Sequence, residues 1–523
     1  MAIAAASALT KPRAGSAAGA LVCLASGAML PLAFAPFDLP PVSFLCIAVL
    51  FAAWRGAGPR RAAWWGALFG LGQFGVGVSW VYVSIYQYGG GSVATALGLT
   101  GLLILVLACF PAALGCVLAW AASLGGRCLL VCLYPAGWAL TEWLRGWVFT
   151  GFPWLSLGYS QMGTPLSGYA PLLGVYGVSW ATALTAALML VLWRGAKKER
   201  GLAVVVLGTL WIGGAWLQHV EWTTPTGTPL RVSLVQGNVS QGLKWLPRER
   251  LATLDLYAGL TRRHWDSDLI VWPETAVPMF FDEAAPFLRE LGDEARTHGV
   301  ALLVGVPYTD LATGRYYNSL VSLGAAEGLY HKHHLVPFTE YLPLREALGK
   351  VVELLDVPMS AFSAGPRDQM PFDVGGVKVA GSICYEAAFP EQVNRALPVA
   401  QVLVNVSNDA WFGNSFAPHQ HLQIARMRSV ETGRPMLRAT NTGITALIDQ
   451  SGRVQAKAPQ FKPFVLTGTV QPYQGETPYV RVGNAGFAGL AFIALVLPFA
   501  GTLRRKVRSR YGAARGQRGA VSD

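Results

Sequence analysis

GSICYEAAFP, residues 381–390, sets the thiol of Cys384 between a short apolar strand pattern and the carboxylate of Glu386. The chain has seven cysteines, and six of them (Cys23, Cys46, Cys109, Cys116, Cys128 and Cys132) lie in runs apolar enough to be membrane. Cys384 alone stands among polar residues, so the contrast divides the chain into an apolar part and a polar part that carries a reactive group.

Of the 523 residues, 53% are hydrophobic and 13% are charged, against roughly 25% charged in a soluble protein. The deficit is local. From Ala62 to Gly126 there is no Asp, Glu, Lys or Arg; between Ala14 and Trp54 only Asp38 interrupts, and from Cys128 to Trp193 only Glu142 and Arg145. Gly201 to Gln218 and Val482 to Leu503 are similar. A helix needs about 20 apolar residues to cross a bilayer core, so these runs are transmembrane candidates. Divided at Pro, Gly and charge breaks they give eight spans, near 14–34, 40–54, 63–86, 92–121, 128–148, 172–193, 201–218 and 485–503. Lys11 and Arg13 before the first span also fit a signal peptide, but a polytopic chain has little need of a cleaved one.

Lysine and arginine collect in alternate loops: Lys11 and Arg13; Arg55, Arg60 and Arg61; Arg127; Arg194, Lys197, Lys198 and Arg200; Arg504, Arg505, Lys506, Arg508 and Arg510. By the positive-inside rule these loops are cytoplasmic, which puts the polar segment after the seventh span outside the cytoplasm. The net charge of +12 is therefore mostly topology and argues for membrane anchoring over nucleic-acid binding. The expected division is 1–219 for spans one to seven, 220–480 for an extracytoplasmic domain, 481–504 for span eight and 505–523 for a basic cytoplasmic tail. With a single thiol, that domain holds no internal disulfide.

Within 220–480, strand-like runs cover 230–239, 269–277, 301–308, 316–324, 379–387, 402–409, 436–449 and 465–470, and helical patterns cover 247–264, 283–298 and 415–432. Strands separated by amphipathic helices predict an α/β layered domain. The stretch from Glu340 to Asp373 has few clear elements and reads either as a lid or as surface irregularity.

Three strand ends carry reactive groups: Glu274 in VWPETAVP, Lys332 in YHKHHLVPF and Cys384 in SICYEAAF. A thiol needs a base to become a nucleophile, and a desolvated glutamate can serve. A lysine beside them can stabilise the thiolate and then an oxyanion. Taken singly, each has a plainer reading: a solvated charge, one member of a basic cluster, a core cysteine. The words around them change the balance. PET at Pro273 to Thr275, Lys332 followed by HHLVPF, the G-x-x-C-x-E block at Gly381 to Glu386, NVSNDAWFG from Asn405 and RATNTGIT from Arg438 resemble the nitrilase, or carbon-nitrogen hydrolase, superfamily. QGNVSQGLKW (236–245), TEWLRG with TGFPW (141–154) and TPYVRVGN (477–484) resemble its membrane-bound branch, the apolipoprotein N-acyltransferases, over nearly the whole chain.

The resemblance implies a polytopic α-helical membrane domain of eight transmembrane helices joined to an extracytoplasmic nitrilase-like α-β-β-α sandwich. It implies Glu274 as general base, Lys332 as oxyanion stabiliser and Cys384 as nucleophile, with supporting roles for Trp245, Glu340, Tyr385 and Glu386. The implied reaction takes an acyl chain from a phospholipid, through a Cys384 thioester, to the α-amine of a diacylated apolipoprotein, by a monomer in a bacterial inner membrane with its catalytic domain periplasmic and no cofactor, metal or nucleic acid. Thr339 departs from the pattern, since glycine is expected before Glu340. Two rival readings share parts of these features: a membrane-anchored amidase acting on small amides, and a transporter or receptor whose outer domain only binds. His331 and His333 share a face on a strand, but no further Cys or His set accompanies them at ligand spacing, so supporting histidines are expected rather than a metal site. Glu142 and Arg145 stand three apart on a helix and are expected either to pair or to meet a lipid headgroup.

Overall fold

The computed structural model describes residues 17–123, 129–341 and 362–498. The basic flanks Lys11, Arg13, Arg127 and those after Leu503, Cys128, most of the candidate lid and the expected tail lie outside them.

The apolar part folds as helices Ala17–Met29, Pro40–Trp54, Pro59–Gly77, Val93–Ser123, Leu129–Arg145, Ala170–Arg194 and Lys197–Leu217, with Asn484–Pro498 after the polar domain. Each falls on one of the expected runs. Proline opens Pro40–Trp54 and Pro59–Gly77, where its fixed φ suits the first turn and its missing N–H has no partner to lose. By length and composition, three helices among the described residues can cross a membrane: Val93–Ser123, the segment Pro165–Arg194, and Lys197–Leu217. Pro59–Gly77 together with Val81–Tyr88, bent by 56°, makes a fourth. The expected eight spans are thus narrowed on this measure to three or four. Ala17–Ala33, Pro40–Trp54 and Asn484–Pro498 are apolar but shorter, and at about 1.5 Å rise per residue they fall below the roughly 30 Å hydrocarbon thickness.

The polar part is two sheets face to face. One runs Phe464–Val470, Leu230–Gln236, Leu269–Val271, Ala301–Asp310, Arg315–Gly324 and Leu329–His331 in spatial order. The other runs Val454–Lys457, Ala446–Ile448, Met436–Thr440, Val402–Ser407, Val377–Ile383, Phe372–Val374 and Ala326–Glu327. Central strands pair in parallel, Leu230–Gln236 with Leu269–Val271 and Val377–Ile383 with Val402–Ser407. Strand alternation produces the layers. Leu269 and Val271 point into the core shared with Val379, Val404 and Leu437 of the second sheet, while Ile270 points out to Leu254, Tyr257 and Leu288 on helices Pro247–Arg262 and Phe281–Thr297. Helix Ala417–Thr432 covers the outer face of the second sheet through Ala425 against Leu403 and Met436. The architecture is the expected α-β-β-α sandwich.

The two parts share one apolar cluster. Tyr385, Phe389, Ile424 and Met427 of the sandwich pack in it with Trp80, Trp154 and Tyr159 of the helical part. Polar contacts fix the match. Trp80 Nε1 and Trp154 Nε1 both donate to Gln420 Oε1, at 3.2 and 2.7 Å, and Gln420 Nε2 donates to the carbonyl of Gly77. Helix Ala170–Arg194 breaks at Gly174, whose φ of 66° is unstrained only for glycine. The amide that the break frees, Val175 N, donates to Glu431 Oε1 at 2.7 Å.

Candidate active site

Each candidate side chain is delivered by the end of a strand. Glu274 follows Leu269–Val271, Lys332 follows Leu329–His331, and Cys384 follows Val377–Ile383. The strand carrying Cys384 ends in a sharp turn: Cys384 has φ 52° and opens the short 3-10 helix Cys384–Ala388. Thr275, directly after Glu274, has φ 47°. A non-glycine residue in the left-handed region costs of order 1–3 kcal/mol and persists only where its surroundings enforce it. Gly305 supplies part of that enforcement, since a Cβ there would overlap the carbonyl of Pro273 and press on the Glu274 backbone.

Lys332 is buried between two carboxylates. Its Nζ lies 3.1 Å from Glu274 Oε1 and 2.9 Å from Glu340 Oε1. Asn318 Nδ2 donates to the same two oxygens, at 2.8 and 2.9 Å. The other oxygen of Glu274 accepts from the amide of Asn408, and that of Glu340 accepts from the amide of Val336. Burial opposes ionisation of Glu274, but the Lys332 ammonium and the hydrogen bonds from Asn318, Lys332 and Asn408 outweigh it and hold the carboxyl below its ordinary range. Burial also opposes the charge of Lys332; Glu274 first, then Glu340 and Cys384, overcome it and raise the lysine above its usual value. Burial pushes the Cys384 thiol up, the Glu274 charge pushes it further, and Lys332 only partly offsets them. The resting state is therefore a carboxylate, an ammonium and a neutral thiol.

Glu386 is fully buried and works as a clasp. Oε1 accepts from the amides of His333 and His334, and Oε2 accepts from the amide of Ile383 and the hydroxyl of Tyr330. It ties the segment after Lys332 to the residue before Cys384, and its carboxyl, raised by burial, has no hydrogen bond to spare for a thiol. Tyr385 reaches the helical part: its hydroxyl donates to the carbonyl of Gly151 at 2.9 Å and its ring stacks on Trp154. Trp245 is half-buried and connects to Glu274 through its neighbour Lys244. Thr339 fits without glycine, because the left-handed residue of that turn is Phe338.

The chain is similar to known proteins along most of its length. Residues 231–479 match the family described as carbon-nitrogen hydrolase, and residues 26–188 match the apolipoprotein N-acyltransferase N-terminal domain. The chain is 50% identical over 482 residues to the apolipoprotein N-acyltransferase of Methylococcus capsulatus, covering 90% of this chain and 95% of that one. It is 45% identical to that of Azotobacter vinelandii, covering 95% and 97%. The chain belongs to the apolipoprotein N-acyltransferase family. Among solved structures, a carbon-nitrogen hydrolase from Helicobacter pylori aligns at 18% identity and TM-score 0.36 over 46% of this chain and 89% of that one.

Several residues of this family member's site were not singled out by the sequence reading. Lys244 is 2% exposed; its Nζ donates to Thr275 Oγ1 at 2.8 Å and lies 3.5 Å from the carbonyl of Glu274, so it pins the left-handed turn under the candidate base. Burial lowers it to about 7 against the upward pull of Glu274. Asn318 and Asn408 were missed as well, although a polar residue inside the apolar run YYNSLVSLG was a visible signal for the first. His331 Nδ1 is 2.7 Å from Ser319 Oγ and His333 Nδ1 is 2.8 Å from the carbonyl of Gly365, both local partners. Glu142 and Arg145 grip the same loop: Glu142 Oε1 accepts from Trp138 Nε1 and the amide of Leu157, while Arg145 Nη1 donates to the carbonyls of Phe152 and Trp154.

Proposed function

We propose that this chain transfers an acyl chain from a phospholipid to the α-amine of a diacylglyceryl-cysteine at the N-terminus of an apolipoprotein, with Cys384 as the nucleophile. One observation carries the reading beyond its family: the residue after Cys384 is hydrogen-bonded to a loop of the apolar helices, so the thiol stands at the seam with the part of the chain suited to lipid. As the thiol attacks the ester carbonyl, Glu274 takes its proton and Lys332 stabilises the oxyanion. In turning to that oxyanion, Lys332 loosens its hold on Glu274, which makes the carboxylate a better base when it is needed. Collapse expels the lysophospholipid alcohol, which takes the proton from Glu274. In the second half the amine attacks the thioester, Glu274 takes a proton from nitrogen, and collapse leaves an amide and returns the proton to sulfur. Both halves use the same groups, as ping-pong chemistry requires.

The helical part spans the bacterial inner membrane eight times in this reading, with the catalytic domain, near 220–480, on the periplasmic face of a monomer. The alternating lysine and arginine loops and the helix on each expected run support it. Glu340, Glu386 and Tyr385 position the reacting groups, and Trp245 meets substrate. The amidase reading leaves the helical part without a task, because one anchor would suffice. The test is to give the purified protein a labelled phospholipid and a diacylated lipopeptide. Transfer of label to the peptide, with an acyl adduct on Cys384 by mass spectrometry and neither in Cys384→Ala, is expected. Hydrolysis of small amides without transfer would overturn the reading.

A further inference from the structure

A second buried polar chain reaches the backbone of Cys384. Arg438 Nη2 donates to Asp409 Oδ2 at 2.9 Å, and Ser407 Oγ donates to Asp409 Oδ1 at 2.6 Å. His421 Nδ1 lies 3.1 Å from the same Oδ1, and its Nε2 lies 3.1 Å from the carbonyl oxygen of Cys384. Asn405 Nδ2 donates to that carbonyl at 3.4 Å, and its Oδ1 accepts from Arg438. None of these side chains is more than 1% exposed. A carbonyl only accepts, so the ring nitrogen facing it serves as the donor. Trp154 and Phe412 pack around the ring and fix its plane.

The Cys384–Tyr385 peptide is trans, so its C=O and N–H point in opposite directions. Two donors on the carbonyl therefore set the direction of the Tyr385 N–H, and hydrogen bonding at the carbonyl polarises the peptide and strengthens that N–H as a donor. A helix can be packed on a sheet as well by apolar side chains as by a buried guanidinium and carboxylate. What the polar chain adds is direction at one peptide plane.

We propose that Arg438, Asp409 and His421 form a positioning relay that holds the carbonyl of Cys384 so that the amide of Tyr385 faces the oxyanion beside Lys332, in both tetrahedral intermediates. The proposal rests on the acyl-transfer reading above. His421 touches no reacting atom and acts through the peptide it orients.

The test compares His421→Gln, whose amide nitrogen can reach the same carbonyl, with His421→Met, of similar size and without a donor. Single-turnover acylation of Cys384 by a labelled phospholipid is followed by mass spectrometry across phospholipid concentrations, and thermal unfolding is recorded in parallel. Losing one oxyanion donor costs about 10²–10³-fold in rate. His421→Met is expected to lose maximal rate on that scale while its half-saturating phospholipid concentration moves less than about threefold, and His421→Gln to recover about tenfold or more of it. Transfer to lipopeptide slows in the same proportion. Equal acylation rates in the two variants, or a rate loss in His421→Met confined to half-saturation, overturn the relay. A native protein that never acylates Cys384 overturns the transfer reading and the relay together.

Discussion

Replacing Lys332 by methionine removes the cation that pairs with both Glu274 and Glu340 while keeping an apolar stem of similar length. Lys332 is 1% exposed and the two carboxylates 8% and 12%, so water does not take over its role. Because Lys332 and Asn318 each bond both oxygens, these lie within about 6 Å of each other, and at an effective dielectric of about 20 two charges at that distance repel by about 3 kcal/mol. Breaking a buried pair from one side costs about 3–5 kcal/mol in total. The double variant Lys332→Met with Glu340→Gln removes the repulsion and is expected to regain about 3 kcal/mol, roughly 6–12 °C in the unfolding temperature of a domain of about 250 residues. On the proposed mechanism, in which Lys332 stabilises the oxyanion, it regains no activity. Differential scanning calorimetry in detergent checks the first statement, and Cys384 acylation checks the second. Lys332→Met as stable as the native protein, or a double variant that acylates at the native rate, refutes the reasoning.

Other expectations concern single groups. Lys244→Met frees the turn beneath Glu274 and is expected to slow acylation by at least tenfold with little change in half-saturating phospholipid, as measured by single-turnover kinetics. The folded-state value of Lys244, about 7, lies below its unfolded one, so between about pH 7 and 10 the unfolded chain binds more protons and stability rises with pH; unfolding temperatures across that window show a smaller rise in Lys244→Met. Tyr385→Phe loses the bond to Gly151, a loss of about 1 kcal/mol, visible as a small fall in unfolding temperature. Because Glu274 is held below its ordinary range, acylation keeps its rate down to about pH 5, whereas transfer to the lipopeptide falls as its amine protonates below about pH 8; parallel rate profiles of the two steps separate them.

Much of the sandwich was legible in the chain. The run 230–239 folds as Leu230–Gln236, 316–324 as Arg315–Gly324, and 283–298 as Phe281–Thr297, because period-two and helical patterns each met the layer they needed. Other runs were overextended. Residues 269–277 form a strand only as far as Val271, 379–387 only as far as Ile383, and 436–449 splits into Met436–Thr440 and Ala446–Ile448, in each case where residues of the site interrupt. Composition showed the helical runs but not their breaks: 63–86 reads as one span and bends by 56° after Gly77. The resemblance marks Glu274, Lys332 and Cys384 as the reacting groups and Glu340 as a supporting one, and the structure brings Glu274, Lys332 and Glu340 together. Asn318, Lys244 and the buried chain of Asp409, His421 and Arg438 were not marked, because a buried polar residue on an amphipathic element looks the same in sequence whether it meets water or another side chain.

The bond from Val175 N to Glu431 bears on how such a chain can be engineered. A catalytic domain joined to its anchor by a linker would keep its own address, and any anchor of the right length would serve. Here the sandwich supplies the cap that a broken helix lacks, while Trp80 and Trp154 close on Gln420 beside His421. The height of the thiol relative to the apolar helices is thus set by side chains rather than by slack in a tether. A graft of residues 220–480 onto a foreign single helix would carry every group named in the chemistry, yet it would leave Glu431 and Gln420 facing solvent and remove one wall of the site.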